Sequence, residues 1–271
     1  MDPNTGGEEW VGEEIIKDTD LTLDQNIKHR PDYMEDYAKV HQNFMGDKNR
    51  VLLTLFDGHS GIEVAKQSIE NFPIMFEKSL KDNKDNVEKS FLEAFKTLDD
   101  TFTQYDDLGA TACIVYICIE DKKRVLYSAN CGDSRSVLVR NGETIRLSYD
   151  HKATDDSEKK RVRKAKGMFM NGRLAGTLAI TRSLGDYILK KDGGFGLISE
   201  PFIKRVVLTK DDQFVIMASD GIWDVINEVE AHNLVSGKKD LNAKQLSELF
   251  IAKSLELGTK DNLSCIATRL N

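Results

Sequence analysis

The order of strand-like and helix-like segments is the feature that most constrains how this chain can fold. Runs rich in β-branched and apolar residues predict strands at 36–41, 51–56, 110–119, 123–130, 135–140, 143–148, 174–181, 202–208, 213–219 and 263–269. Helical periodicity covers 61–80, 84–105, 155–166, 228–236 and 243–257. The helices come in pairs before and after a block of strands, which disfavours a parallel doubly wound sheet. We therefore expect an α+β fold: two stacked antiparallel sheets, a β-sandwich, flanked by helices on both sides (α/β/β/α).

Composition and charge exclude several classes of protein. The chain has 271 residues and a formal net charge of -7, which argues against a nucleic-acid binder or a protein that binds anionic membranes. No apolar run is long enough to span a bilayer, so we expect no membrane insertion. Four cysteines lie in strand-like runs without metal-site spacing: Cys113, Cys118, Cys131 and Cys265. We interpret them as buried free thiols of an intracellular protein, cytoplasmic, nuclear or both.

Three acidic residues lie beside strand-like runs that are far apart in the chain. Asp57 follows one run, Asp220 follows another, and Asp261 comes just before a third. A sheet holds such carboxylates rigidly at its edge, and converging carboxylates suit hard divalent cations, which prefer oxygen ligands. Metal-assisted hydrolysis is therefore the leading hypothesis.

A lone Asp-Gly pair usually marks only a turn, but Asp57-Gly58 is one of a series of motifs. In chain order these are Met34-Glu35-Asp36, Leu55-Phe56-Asp57-Gly58-His59-Ser60-Gly61, Gly109-Ala110-Thr111-Ala112, Asn130-Cys131-Gly132-Asp133-Ser134-Arg135, Asp150-His151-Lys152, Asn171-Gly172-Arg173-Leu174, Leu178-Ala179-Ile180-Thr181-Arg182-Ser183-Leu184-Gly185-Asp186, Ser199-Glu200-Pro201, Ala218-Ser219-Asp220-Gly221-Ile222-Trp223-Asp224-Val225 and Gly258-Thr259-Lys260-Asp261-Asn262-Leu263-Ser264. With these motifs in this order, the chain resembles the metal-dependent serine/threonine protein phosphatases of the 2C type from about Arg30 to Thr268.

The resemblance implies a centre of two Mn²⁺ or Mg²⁺ ions and a looser third ion. Asp57 would bridge the two ions, the carbonyl of Gly58 would bind one of them, and Asp220 and Asp261 would complete the other. Two further acids of the first motif, Glu35 and Asp36, would hold ion-bound waters or ligate weakly. Asp133 and Asp224 match the positions of the third ion.

Two side chains would act on the substrate itself, according to the same resemblance. His59 would protonate the leaving oxygen, and Arg30 would bind the substrate phosphate. The family usually has two residues between this arginine and Met-Glu-Asp, whereas three follow Arg30, so the extra residue could displace it.

Simpler readings remain for several of these residues. His59 could be a helix-entry histidine that is only hydrogen-bonded to a nearby carboxylate. Asp133 could bond its own backbone in a Gly-Asp-Ser turn. We read His151 as structural, and Asp186 as pinning a turn or a neighbouring arginine.

The function implied is hydrolysis of phosphoserine and phosphothreonine in phosphorylated protein substrates. Water that bridges the two ions would attack directly, with no phosphoenzyme. The alternative is a catalytically weak pseudophosphatase that keeps the fold as a protein-binding module; a nuclease or other phosphodiesterase is disfavoured by the acidic surface and the motif set. We expect a monomer in which residues 1–12 are disordered or artificially added and residues 13–271 form a single phosphatase catalytic domain. A flap at about 152–170 carries basic side chains that either steer substrate or only solvate a helix.

Overall fold

The computed structural model describes residues 15–26, 28, 33–191, 194–238 and 240–271. The strands are β1 (Asp18–Asp24), β2 (Asp36–His41), β3 (Val51–His59), β4 (Gly109–Ala110), β5 (Ala112–Glu120), β6 (Lys123–Cys131), β7 (Arg135–Arg140), β8 (Glu143–Arg146), β9 (Phe169–Met170), β10 (Arg173–Leu174), β11 (Leu184–Gly185), β12 (Phe202–Val207), β13 (Asp212–Ala218) and β14 (Leu263–Arg269). The α-helices are α1 (Glu63–Asp82), α2 (Val87–Asp99), α3 (Asp156–Lys164), α4 (Asp220–Trp223), α5 (Glu228–Val235) and α6 (Ala243–Glu256). Short 3-10 helices cover Phe44–Gly46, Asp100–Phe102 and Tyr187–Leu189. The N-terminal segment 1–12 and Arg30 lie outside the described residues.

Two antiparallel sheets form the centre of the molecule. The first has five strands in the order β1-β14-β13-β7-β8. The second has the order β11-β4-β3-β5-β6-β12, and β2 pairs with β3. A separate small hairpin joins β9 and β10.

Alternation along the strands divides the core into layers. In β3, Leu52 and Phe56 join the cluster beneath α1 and α2, whereas Leu53 and Leu55 join the cluster between the sheets. A third cluster fills the space between the five-stranded sheet and α4, α5 and α6. Because successive side chains of a strand point to opposite faces, each sheet buries both of its faces. The predicted α/β/β/α sandwich is confirmed.

Helix α2 presents the apolar stripe that its sequence predicts. The stripe residues are all buried in the cluster shared with α1: Val87, Phe91, Ala94, Phe95, Leu98 and Phe102. The α-helix itself ends at Asp99, and Phe102 lies on the 3-10 turn that follows, so the predicted range 84–105 was too long at both ends. No helix in the described ranges combines the length and apolar character needed to cross a membrane.

The predicted strand at 174–181 is wrong. Only Arg173–Leu174 is a strand there, and the rest makes isolated bridges at Leu178 and Ile180. Ala175 and Gly176 have φ values of 50° and 82°, in the left-handed region that breaks an extended strand. The apolar residues that suggested a strand belong instead to an irregular segment.

A buried ionic network attaches α3 to this irregular segment. Glu158 has a side chain only 3% exposed, and it accepts hydrogen bonds from Arg161, Arg182 and the hydroxyl of Thr181. Burial raises the pKa of Glu158, but the two arginines and Thr181 outweigh it and lower that pKa below its ordinary value. A carboxylate held this way stabilises the fold only while it is ionised.

We predict that Glu158→Gln destabilises the protein by about 3–5 kcal/mol near neutral pH, because it leaves two arginines without their buried partner. The native pKa is below the unfolded one, so this contribution is present above the unfolded pKa and is lost as pH falls through the native pKa. Urea unfolding of both proteins from pH 7 down to about pH 2, which covers the range below the unfolded pKa in which the contribution is lost, measures it. Asp156→Asn is the control because that carboxylate is 89% exposed on the same helix. Equal loss in both variants would contradict the prediction.

Candidate metal centre and catalytic cleft

The pairing of β2 with β3 brings two acidic residues together. Asp36 lies directly opposite Asp57 in the register, and their carboxyl groups are close enough to share a hydrogen bond. Asp36 Oδ2 also accepts hydrogen bonds from Ser219 Oγ at 2.8 Å and Ser264 Oγ at 2.7 Å. Since both serines belong to the edge of the other sheet, Asp36 connects the two sheets at this end of the sandwich.

The neighbouring strands β13 and β14 supply two more carboxylates. Asp220 follows the end of β13 and begins α4, and Asp261 lies just before β14. Antiparallel pairing puts these two points at the same edge of the sheet. Gly221 allows the loops to meet, because a Cβ there would lie 2.0 Å from the carbonyl oxygen of Asn262.

These edges open into a cleft of about 270 Å³. The cleft is lined by Asp57, His59, Asp133, Asp220 and Asp261. It is also lined by Arg173 of β10 and by residues 177–180 of the irregular segment that follows. The three carboxylates that the sequence singled out therefore meet in one cleft, and Asp133 joins them there.

The carboxylates in the cleft repel one another strongly. Burial, together with the charges of Asp36 and Asp220, raises the pKa of Asp57 well above its usual value. Burial and the charges of Asp133 and Asp261 raise the pKa of Asp220 well above the usual value too. Such like charges need compensation by a cation or by protons before they can share a buried site.

Hard divalent cations fit this donor set. Within the ranges that the structure describes, no three His, Cys, Asp or Glu side chains already converge as ligands of one ion. The cleft nevertheless offers only oxygen donors among its acidic groups, which is the chemistry that Mg²⁺ and Mn²⁺ select.

Gly58 is required because a side chain at this position would not fit, and not because the chain turns there. Asp57, Gly58 and His59 are the last residues of β3 and not a turn after it. A Cβ at Gly58 would lie 2.9 Å from the carbonyl oxygen of Glu35, and that oxygen accepts a hydrogen bond from the Gly58 N–H. The buried Glu35 is held in turn by its N–H, which donates to Asn262 Oδ1 at 2.9 Å.

His59 is hydrogen-bonded to a carboxylate, as the simpler reading expected, but the sequence did not predict that the partner would be Asp186. Its Nε2 lies 3.0 and 2.9 Å from the two carboxylate oxygens of Asp186, which is 127 positions away in the chain. Ser183 Oγ donates to the same carboxylate at 2.5 Å. Gly109 makes room for the pair, since a Cβ there would lie 2.5 Å from His59 Nε2. Asp186 therefore orients the histidine in addition to starting a turn, and no arginine holds it among the recorded contacts of the described chain.

Asp133 and Asp224 are close together but contact a lysine. Lys152 Nζ lies 2.6 Å from Asp224 Oδ1 and 3.6 Å from Asp133 Oδ2. Burial raises the pKa of Asp133 to about 6, while the charge of Lys152 opposes that rise. The assignment of a third ion to these acids stays a prediction.

Arg173 is a cationic residue that the sequence reasoning overlooked. It lines the cleft, and its Nη1 donates to the carbonyl oxygen of Thr177 at 2.8 Å. No carboxylate pairs with it among the described ion pairs. Its motif, Asn171-Gly172-Arg173-Leu174, belongs to the series in the sequence, but nothing in the sequence indicates that this arginine lines the same cleft as the acids.

Comparison with known proteins shows the family of the chain. The protein phosphatase 2C family profile matches residues 24–263. Protein phosphatase 2C homolog 1 of Saccharomyces cerevisiae is 33% identical over 253 residues, which cover 88% of each chain.

Solved structures agree as well. A C. elegans sex-determining protein has a TM-score of 0.80 and 27% identity, over 97% of this chain and 66% of that one. Serine-threonine phosphatase 2C from Toxoplasma gondii has a TM-score of 0.79 over 96% of both chains, and at 16% identity it supports the fold alone. From the profile, the yeast relative and the acidic cleft between two sheets, we conclude that this chain belongs to the protein phosphatase 2C family of metal-dependent protein phosphatases.

Proposed function

We propose that the chain hydrolyses phosphoserine and phosphothreonine in proteins by direct attack of water at a centre of two Mn²⁺ or Mg²⁺ ions. The observation that carries the proposal is the cleft in which Asp57, Asp220 and Asp261 lie together, with pKa values of Asp57 and Asp220 raised well above normal. Membership of a metal-dependent phosphatase family supports it.

The proposed ligands come from both sheets. Asp57 and the carbonyl of Gly58 would hold ions from β3, and Asp220 and Asp261 would hold them from the ends of β13 and β14. Asp36 would orient Asp57, since two serine hydroxyls fix its own position. Glu35, which is buried beside Gly58, would hold ion-bound waters near the same strand.

When bound, such ions supply an activated water and offset the negative charge of the phosphoryl group. The rest of the reaction falls to the side chains of the protein. His59 lies at the cleft wall with its side chain 26% exposed, so it can reach a leaving oxygen. Asp186, itself bonded by Ser183, would hold the ring through Nε2. The proton that passes to the serine or threonine oxygen of the substrate would then come from Nδ1 of the protonated imidazole.

A cation in the cleft would bind the substrate phosphate. We propose that Arg173 contributes, because it lines the cleft and has donors directed to no carboxylate. Arg30 remains a proposed phosphate ligand whose position lies outside the described residues. The family implies phosphoprotein substrates, and we further propose a monomer that binds no nucleic acid.

We also propose that the protein acts inside the cell, in the cytoplasm, the nucleus or both. All four cysteines are buried and unpaired. Burial raises the pKa of Cys113 and Cys131 to about 12, so they remain unreactive thiols. Unpaired buried thiols are typical of a reducing compartment.

The first test is Asp57→Asn. Losing this carboxylate should lower Mn²⁺-dependent turnover of a phosphopeptide by about a thousandfold or more, because it removes several kcal/mol of stabilisation of the transition state. Asp100→Asn changes an exposed carboxylate that pairs with Lys96 and does not line the cleft, so this control should leave turnover unchanged. A wild-type protein that folds but has no turnover and binds no Mn²⁺ would favour the pseudophosphatase alternative, whereas Mn²⁺ binding without turnover would point to a displaced Arg30 or a missing activator. Mn²⁺-dependent turnover that survives Asp57→Asn would exclude this carboxylate as a ligand.

The role of His59 can be tested through the leaving group. Protonation matters for an alkyl oxygen such as that of serine, and little for p-nitrophenolate, which leaves without it. His59→Gln should therefore lower kcat on a phosphoserine peptide by about 10²–10⁴, and on p-nitrophenyl phosphate by less than about tenfold. Asp186→Asn should show the same selectivity with a smaller loss. Equal losses on both substrates would indicate that the pair is only structural.

Arg173 can be tested through the affinity for phosphate. Arg173→Met should raise both KM for a phosphopeptide and the inhibition constant of inorganic phosphate by about 10- to 100-fold, the value of a charge-assisted hydrogen bond. Arg173→Lys should recover part of that loss, and Arg163→Met, on the exposed side of α3, should change neither constant. If inhibition by phosphate is the same in Arg173→Met and wild type, Arg173 does not bind the phosphate.

A further inference from the structure

Two loops hold Lys152 in a defined place beside the cleft. The N–H of His151 donates to the carbonyl oxygen of Gly132 at 3.0 Å, which ties the loop of Lys152 to the loop of Asp133. On its other side Lys152 forms a bridge with Ile180, and the next N–H, of Ala153, donates to Ala179 at 2.6 Å. The backbone around Lys152 is therefore anchored to the loop of Asp133 and to residues 179–180, and both of these segments line the cleft.

The lysine side chain is directed at two carboxylates. Its Nζ contacts Asp224 Oδ1 at 2.6 Å and lies 3.6 Å from Asp133 Oδ2. Asp133 is 6% exposed, so it depends on a nearby positive charge to remain ionised. Asp224, 57% exposed, is positioned by its N–H, which donates to the carbonyl oxygen of Asp220 at 2.8 Å.

The ammonium thus stands where a cation shared by Asp133 and Asp224 would stand. Lys152 also lines a second opening of about 390 Å³, together with Arg146 and Tyr149.

We propose that Lys152 is a built-in cation that occupies the third ion position, so that Asp133 and Asp224 bind a third divalent ion only when the lysine is displaced. This inference rests on the proposed two-ion function of the cleft. It makes the chain a two-ion protein under ordinary conditions, with Lys152 as the residue that sets the ion number.

The test is the number of Mn²⁺ ions bound by the full chain, measured by equilibrium dialysis with atomic absorption and by calorimetry. Wild type should bind two ions, with any third ion much weaker. Lys152→Met removes the positive charge from the two acids, so it should bind a third ion at least about tenfold more tightly than wild type does. Lys152→Gln serves the same purpose if the methionine variant does not fold, and thermal unfolding in chelator checks the fold of each variant.

Two controls locate the gained ion. Lys152→Arg keeps a cation beside the acids and should gain no ion. Adding Asp224→Asn to Lys152→Met should remove the third ion again. A third ion bound equally tightly by wild type and Lys152→Met, or a gained ion that persists without Asp224, would overturn the inference. Wild type that binds no Mn²⁺ would instead contradict the proposed two-ion function, whereas wild type that binds two ions and shows no gain in Lys152→Met would contradict the inference about the lysine alone.

Discussion

The carboxylate of Asp36 is the connection on which the cleft depends. It belongs to the sheet of β3, yet it accepts hydrogen bonds from Ser219 and Ser264 of the other sheet. A buried carboxylate is tolerated only when its oxygens are satisfied, so the two sheet edges are held in one register relative to each other. Asp57, opposite Asp36 in β3, and Asp220, next to Ser219, take their positions from that connection.

The cleft combines acidic side chains with positive charges that offset their repulsion. Carboxylates close together destabilise the fold unless cations offset them, which is a common conflict between stability and function. This chain meets the conflict in two ways. The proposed divalent ions would offset the negative charge at the centre of the cleft. The ammonium group of Lys152 already offsets the charge of Asp133 and Asp224 at its edge. The acidic net charge of the chain, -7, is consistent with a site designed around bound cations.

The parts of the structure that the sequence predicted are those set by local periodicity. Alternation within 51–56 and the stripe of α2 assign each side chain to a layer with no knowledge of distant residues. The carboxylates at strand ends were recognisable for the same reason. The pairing of His59 with Asp186 was not, because it joins residues 127 positions apart through a turn whose path depends on tertiary packing. The prediction of a strand at 174–181 was wrong because Ala175 adopts a positive φ, and an alanine side chain gives no sign of that backbone conformation. The cleft-facing direction of Arg173 also depends on that turn.

The central claim is that the carboxylates of both sheets jointly hold divalent cations. Crystals of the protein grown with Mn²⁺ and measured at the manganese absorption edge test it most directly, because anomalous scattering locates the ions without reference to activity. The account predicts two strong peaks in the cleft, next to the side chains of Asp57, Asp220 and Asp261. Peaks bound elsewhere on the chain, or a cleft that stays without manganese at millimolar concentration, would contradict it.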